Sequence, residues 1–249
     1  GGGGGGGGGG TTRRPADASS GLGTAEDAED ANAATATEEY DGDDAGALAA
    51  SSDVGALSAW LHRVYVRRLG PPGAHASAGR ERCSVLLTAG PAAGKTCLTS
   101  QLVMHMLQKD DSLIPIALKV QQLQRRLLMP EHRPTFAKSW NWVDAYLLVT
   151  HGASSERYQF LRQALMARRA LILLDGIDEG GRARAEIERH VTEVLAPQGH
   201  VMLVTSRPAG FNWARFEKGF HAMVLRPLSD GQQKAVIEQR ISERARAAE

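Results

Sequence analysis

Two cysteines, Cys83 and Cys97, are all that 249 residues hold. Two thiols cannot make a disulfide framework, so a reducing, cytoplasmic setting is expected. Aromatic residues make up 5% of the chain, and no apolar run approaches the ~18 residues of a membrane-spanning helix. The N-terminus lacks the basic-then-apolar pattern of a secretory signal, and there is no starting Met. The eight His show neither HExxH nor a Cys/His ligand spacing, which argues against a structural zinc site.

The formal net charge of +1 conceals an uneven chain. Up to Val54 there are two Arg against eleven Asp and Glu, so the first part is acidic and the remainder basic. Gly1 to Gly10 is an unbroken glycine run. Residues 1–54 carry too little apolar surface to offset the entropy of ordering, and they read as a disordered, solvating tail. An acidic interaction tail is the alternative. The Arg residues of the basic part are dispersed, with no aromatic-rich motif beside them. They read as solvated faces rather than a nucleic-acid surface.

Residues 55–80 read as an amphipathic helix and a linker. Leu57, Trp60, Leu61, Val64 and Tyr65, with Leu69, recur at helical spacing on one face, and Gly70-Pro71-Pro72-Gly73 ends the helix. Packing on the following domain is the plain reading; a membrane-surface or partner helix is the alternative. From residue 81 to 227 short apolar runs alternate with helical stretches. Strands are expected over 83–88, 113–120, 170–174, 201–205 and 221–225. Helices are expected over 95–108, 143–149, 158–166 and 186–195. Leu98, Leu102, Met106 and Leu107 are assigned to one side of the first of these helices. Pro115 lacks a ladder donor and puts its strand at or near a sheet edge. This alternation predicts a three-layer α/β fold around a mainly parallel sheet. Residues 228–249, helical from 232 to 246, read as the start of a further helical domain. The stop within a helical stretch reads as a piece of something longer.

Three motifs carry chemistry. Ala89-Gly90-Pro91-Ala92-Ala93-Gly94-Lys95-Thr96 joins an expected strand to an expected helix, with Cys97 just inside the helix. Small residues let such a loop turn its N–H groups onto phosphate oxygens, and the helix N-terminus adds its positive end. Lys95 is suited to the β- and γ-phosphates, and the Thr96 hydroxyl to Mg²⁺. Ala89 stands where the pattern usually has Gly. For Cys97, a buried small side chain is the plain account, and a thiol activated by the helix N-terminus the alternative.

The run Leu171-Ile172-Leu173-Leu174 carries Asp175 to its end, followed by Gly176-Ile177-Asp178-Glu179-Gly180-Gly181. Ligands of open α/β sheets bind at the carboxyl ends of the strands. Asp175 can therefore meet a Mg²⁺ held by Thr96, and Asp178 or Glu179 can orient or deprotonate a water. The third motif is Val201-Met202-Leu203-Val204-Thr205-Ser206-Arg207-Pro208. Arg207 or Ser206 can sense a γ-phosphate; alternatively Arg207 pairs with Asp178 to hold the site together. NKxD is absent, so guanine recognition of the small-GTPase kind has no support. Trp140, Trp142 and Tyr146, with Phe136 upstream, read as helix core rather than a docking surface.

Taken in order, TAGPAAGKTCL, LILLDGIDEGG and VTSRP resemble the signatures of the NACHT family of signal-transduction (STAND) ATPases, which are related to AAA+ ATPases. The doubled acid after Asp175-Gly176 is the most specific part. The resemblance covers about residues 82–228. It implies an AAA+-like P-loop sheet with the phosphate-loop strand central and the Asp175 and Thr205 strands close by. It implies Mg-ATP and Mg-ADP as ligands, slow hydrolysis, and a switch between closed and self-associating open states. It places loop residues 89–97 on the nucleotide, Thr96 and Asp175 on Mg²⁺, and Asp178, Glu179 and Arg207 in catalysis. No winged-helix region, sensor repeats or effector domain is recognisable, so self-association and signalling partners are expected to act through domains not present here. Two other functions fit the same residues: a scaffold that holds nucleotide without turnover, and a phosphoryl-transfer or mechanical AAA+-type ATPase.

Overall fold

The computed structural model describes Gly1 and residues 53–68, 82–108 and 113–246. Apart from Gly1, Asp53 and Val54, the expected tail lies outside the described residues, as do Leu69 and the Gly70–Gly73 stop. The elements are α1 (Val54–Arg68), β1 (Ser84–Thr88), α2 (Lys95–Gln108), β2 (Ile114–Lys119), α3 (Val120–Leu128), α4 (Arg133–Lys138), α5 (Trp142–His151) and α6 (Glu156–Met166). They continue with β3 (Ala170–Asp175), a 3-10 turn (Ile177–Ala183), α7 (Arg184–His190), β4 (Val201–Ser206), α8 (Trp213–Phe216), β5 (Phe220–Val224) and α9 (Asp230–Arg246). Past His190 the helix widens into a π turn (Val191–Leu195) and ends at Gln198, where one unbroken helix was expected.

Five parallel strands form one sheet in the order β2-β3-β4-β1-β5. The middle strand is β4, and β1 lies beside it rather than at the centre. β2 is an edge strand, the place where Pro115 is tolerated. Both faces of the sheet are covered, which is why β3 is apolar without alternation. Leu171, Leu173, Val201, Leu203, Val85 and Leu87 form one face with α1 and α2 over them. Leu86, Ile116, Ile172, Leu174, Met202 and Val204 form the other, under α5, α6 and α7. Each fully buried Leu or Ile contributes about 1.5–3 kcal/mol of hydrophobic stabilisation, so β3 anchors the molecule. Together the two helical layers and the parallel sheet make the three-layer α/β architecture expected.

Helix α1 begins where the Asp53 carboxylate accepts the Ala56 N–H at 2.8 Å, an N-cap. Leu57, Trp60, Leu61, Val64 and Tyr65 are all buried. Trp60 meets His221 of β5 edge-on, with centroids 5.2 Å apart. Arg68 donates to the Gly199 carbonyl ahead of β4. The sheet thus covers the face that a membrane or partner helix would have to present. On α2, Leu102 and Met106 are buried and Leu98 partly so. Leu107 is 66% exposed, because one residue past Met106 turns it about 100° off that face.

Helices α3 and α4 were not expected. No turn residue separates Lys119 from Val120, and the strand passes straight into a helix. Val120, Leu123 and Leu127 then face the core at helical spacing. Phe136 is buried edge-on to Trp142, whose ring stacks on His190 with centroids 4.3 Å apart. His190 Nε2 accepts the Trp142 N–H at 2.9 Å. Trp140 is 38% exposed, its Nε1 donating to Asp144. Among the described residues no helix is long and apolar enough to cross a membrane.

Candidate functional site

All five carboxyl ends lie along one edge of the parallel sheet. The register sets Thr88 of β1 opposite Ser206 of β4, and Leu174 of β3 opposite Val204 of β4. Three motifs far apart in sequence therefore meet at three adjacent strand ends, where open α/β sheets bind ligands.

The loop between β1 and α2 is held from beneath. Buried Ala89 donates its N–H to the Ser206 carbonyl at 3.1 Å. The Lys95 ammonium donates back to the carbonyls of Ala89, at 2.7 Å, and Gly90, at 3.0 Å. Ala92 (φ 58°) and Gly94 (φ 92°) both adopt left-handed backbone. For Ala92 this costs about 1–2 kcal/mol, which the anchored loop must absorb. Such alternation turns successive N–H groups into one concavity, an anion-binding nest. Lys95, Thr96 and Cys97 form the first turn of α2, where N–H groups lack acceptors within the helix.

The acidic side is as closely specified. Asp175 Oδ2 accepts from Thr96 Oγ1 at 2.8 Å. Asp175 Oδ1 accepts from Thr205 Oγ1 at 2.7 Å. Gly176, left-handed at φ 77°, sends its N–H to Thr205 Oγ1 at 2.8 Å. The chain then enters the 3-10 turn that carries Asp178 and Glu179. Asp178 Oδ2 pairs with Arg207 Nε at 3.2 Å, and Oδ1 accepts the Arg207 main-chain N–H at 3.3 Å. Glu179 is exposed, and among the described residues its carboxylate makes no hydrogen bond or ion pair.

These groups surround a cleft of about 310 Å³, lined by residues 91–97, Asp175, Gly176, Asp178, Glu179 and Arg207. That volume is at the small end of small-ligand sites. Ala89 and Gly90 do not line it; their carbonyls hold Lys95. Cys97 is exposed and faces the cleft, contrary to the buried side chain expected. The buried face of α2 runs through Thr99, Leu102 and Met106, and Cys97 lies off it. Of the two duties open for Arg207, pairing with Asp178 is the one its position displays. Thr205 was not singled out from the sequence. Its signal, a hydroxyl at the end of an otherwise apolar run, has meaning only once β4 is known to lie beside β3. A hydroxyl and a carboxylate oxygen 2.8 Å apart, below convergent N–H groups, are the donors a hard divalent cation and a polyphosphate need.

No protein-family model matches the chain. No curated protein matches it. Among solved structures it is similar to C. elegans PCH-2, with 15% identity over 78% of this chain and 47% of that one, at a TM-score of 0.44. It is also similar to the Aeropyrum pernix ORC1 protein in complex with DNA, with 18% identity over 73% of this chain and 49% of that one, at 0.41. A chain of the E. coli MS115-1 HORMA:CdnC:Trip13 complex matches at 12% identity over 81% of this chain and 72% of that one, at 0.43. The chain spans about half the length of the first two. Strand order, phosphate loop and acidic strand end together make a three-layer α/β fold of the P-loop kind.

Proposed function

We propose that this chain binds Mg-ATP and Mg-ADP in the cleft at the β1, β3 and β4 ends. On this reading it acts as a slowly hydrolysing, NACHT-type switch. The observation that carries the nucleotide reading is the 2.8 Å bond from Thr96 to Asp175 beneath a loop of convergent amides. The switch, and the self-association it entails, rest on the resemblance of the three motifs.

Loop amides and Lys95 hold the phosphates; Lys95 exchanges its two carbonyl partners for phosphate oxygens. Thr96 and Asp175 would hold Mg²⁺, which would supply neutralisation of phosphate charge. Glu179, exposed at the cleft and without a partner among the described residues, orients the attacking water and accepts its proton. Asp178 holds Arg207 at the rim, where its guanidinium can meet a γ-phosphate.

A thermal-shift titration of the chain with Mg-ATP and Mg-ADP, beside Lys95→Ala, tests the reading. A ligand at 100 times its Kd stabilises the folded state by about 2.7 kcal/mol. A rise in Tm that disappears in Lys95→Ala is expected. A cooperatively folding chain with no such shift overturns the nucleotide reading. Turnover then separates the functions: slow for a switch, fast for a mechanical ATPase, none for a scaffold.

A further inference from the structure

We infer that Thr205 is the positioning residue that fixes the orientation of the Asp175 carboxylate, so that one of its oxygens faces the cleft; this rests on the nucleotide reading above. Thr205 is 1% exposed. Its single hydroxyl is used in both directions. Oγ1 accepts the Gly176 N–H at 2.8 Å, so its own proton is committed to Asp175 Oδ1 at 2.7 Å. An aspartate carboxylate is a broad two-fold rotor about χ2. With Oδ1 tied to β4, that rotor stops with Oδ2 toward Thr96. One oxygen is thereby held inward by Thr205 and the other turned toward Thr96 and the cleft.

Packing alone does not call for this hydroxyl. Thr205 continues a strand of buried apolar residues, Val201 to Val204, and Val has the same branched shape. The hydroxyl occurs where β4 draws level with the β3 carboxylate and the left-handed Gly176 turn. One Thr ties the end of β3, the turn after it and the cation oxygen into a single unit.

Thr205→Val keeps the shape and removes the hydroxyl; Thr205→Ser keeps the hydroxyl. The measurement is ATP binding to the full chain, titrated with Mg²⁺, and repeated in EDTA. Residues that orient a metal ligand typically contribute roughly 10–100-fold to metal affinity. Thr205→Val is expected to need that much more Mg²⁺ at half-effect, with ATP affinity in EDTA unchanged. Thr205→Ser is expected to restore the Mg²⁺ requirement. In an Asp175→Asn background Thr205→Val is expected to add nothing, because its effect acts through that carboxylate. Thr205→Ala reads the same quantity if the Val variant does not fold. Equal Mg²⁺ requirements in the unaltered chain and the hydroxyl-free variants, or full additivity with Asp175→Asn, overturn the inference alone. An unaltered chain that binds no Mg-ATP overturns the nucleotide reading and this inference with it.

Discussion

Arg207 grips Asp178 twice, its Nε 3.2 Å from Oδ2 and its main-chain amide 3.3 Å from Oδ1. Asp178 is thereby engaged on both oxygens, while Glu179 beside it is exposed. Two adjacent acids of similar chemistry receive different work from their surroundings. Glu179→Gln is expected to lower ATP turnover by roughly 10²–10⁴-fold with nucleotide affinity retained. Asp178→Asn removes a pair whose Arg is 56% exposed, and is expected to change turnover by about tenfold or less. Single-turnover kinetics on both variants check this. The reverse ranking would move the water-orienting role to Asp178.

The Arg207 grip depends on a residue with no side chain. Gly210 donates its N–H to the Arg207 carbonyl, closing a tight turn. A Cβ at position 210 would lie 2.4 Å from Asp178 Cβ and 3.2 Å from the Arg207 carbonyl oxygen. Asp178 Cβ is fixed to its own backbone and cannot swing aside, so the Gly210 turn or the 3-10 turn must move. Gly210→Ala is expected to cost about 1–3 kcal/mol. Urea unfolding measures it, and a loss under 0.5 kcal/mol would show that the turn yields easily.

Helix α1 is integral to the fold, because Trp60 and Leu61 sit inside the cluster that covers β1, β3 and β4. Trp60→Ala is expected to cost about 3–5 kcal/mol. A denaturant midpoint close to that of the unaltered chain would mean that α1 detaches before the sheet unfolds.

Acid is expected to weaken the fold through two imidazoles, half-buried His190 and buried His200. Burial lowers the pKa of His190 from its ordinary 6.5 to about 4, and does the same to His200, where Arg168 and Arg68 add to it. Above pH 6.5 both rings are neutral, folded or unfolded, and the stability they permit is fully present. Between about 6.5 and about 4 the unfolded chain takes up protons that the folded chain refuses. Stability therefore falls with pH through that window, by about 3 kcal/mol per group at most. His190→Phe keeps a ring against Trp142 but does not titrate. It is expected to lose stability at neutral pH, where the Trp142 N–H loses its acceptor, and to show roughly half the acid dependence. Urea midpoints at several pH values decide it; an unchanged slope would mean that His190 protonates freely in the folded chain.

Much of the site was legible because its parts are local. Small residues before Lys95, and a carboxylate at the end of an apolar strand, carry meaning within ten residues. The face of α1 was legible for the same reason. What escaped depends on neighbours far along the chain. Thr205 looks like one more strand residue until β4 lies against β3. The exposure of Cys97 depends on which side of α2 meets the sheet, and apolar residues such as Met104 and Leu107 on its outer side obscure that choice. α3 was hidden because a strand ending in Lys119 gives no signal of stopping.

The strand order also has a consequence for synthesis. β1 pairs only with β4 and β5, and its Thr88 faces Ser206 on one side and Val224 on the other. At roughly 5–20 residues per second, the roughly 120 residues from Ser84 to Ser206 take about 6–24 s to emerge from a ribosome. Through that interval the strand preceding the phosphate loop has no partner, and the loop has no Ser206 carbonyl to anchor it. The cleft therefore cannot be completed before β4 and Arg207 have emerged.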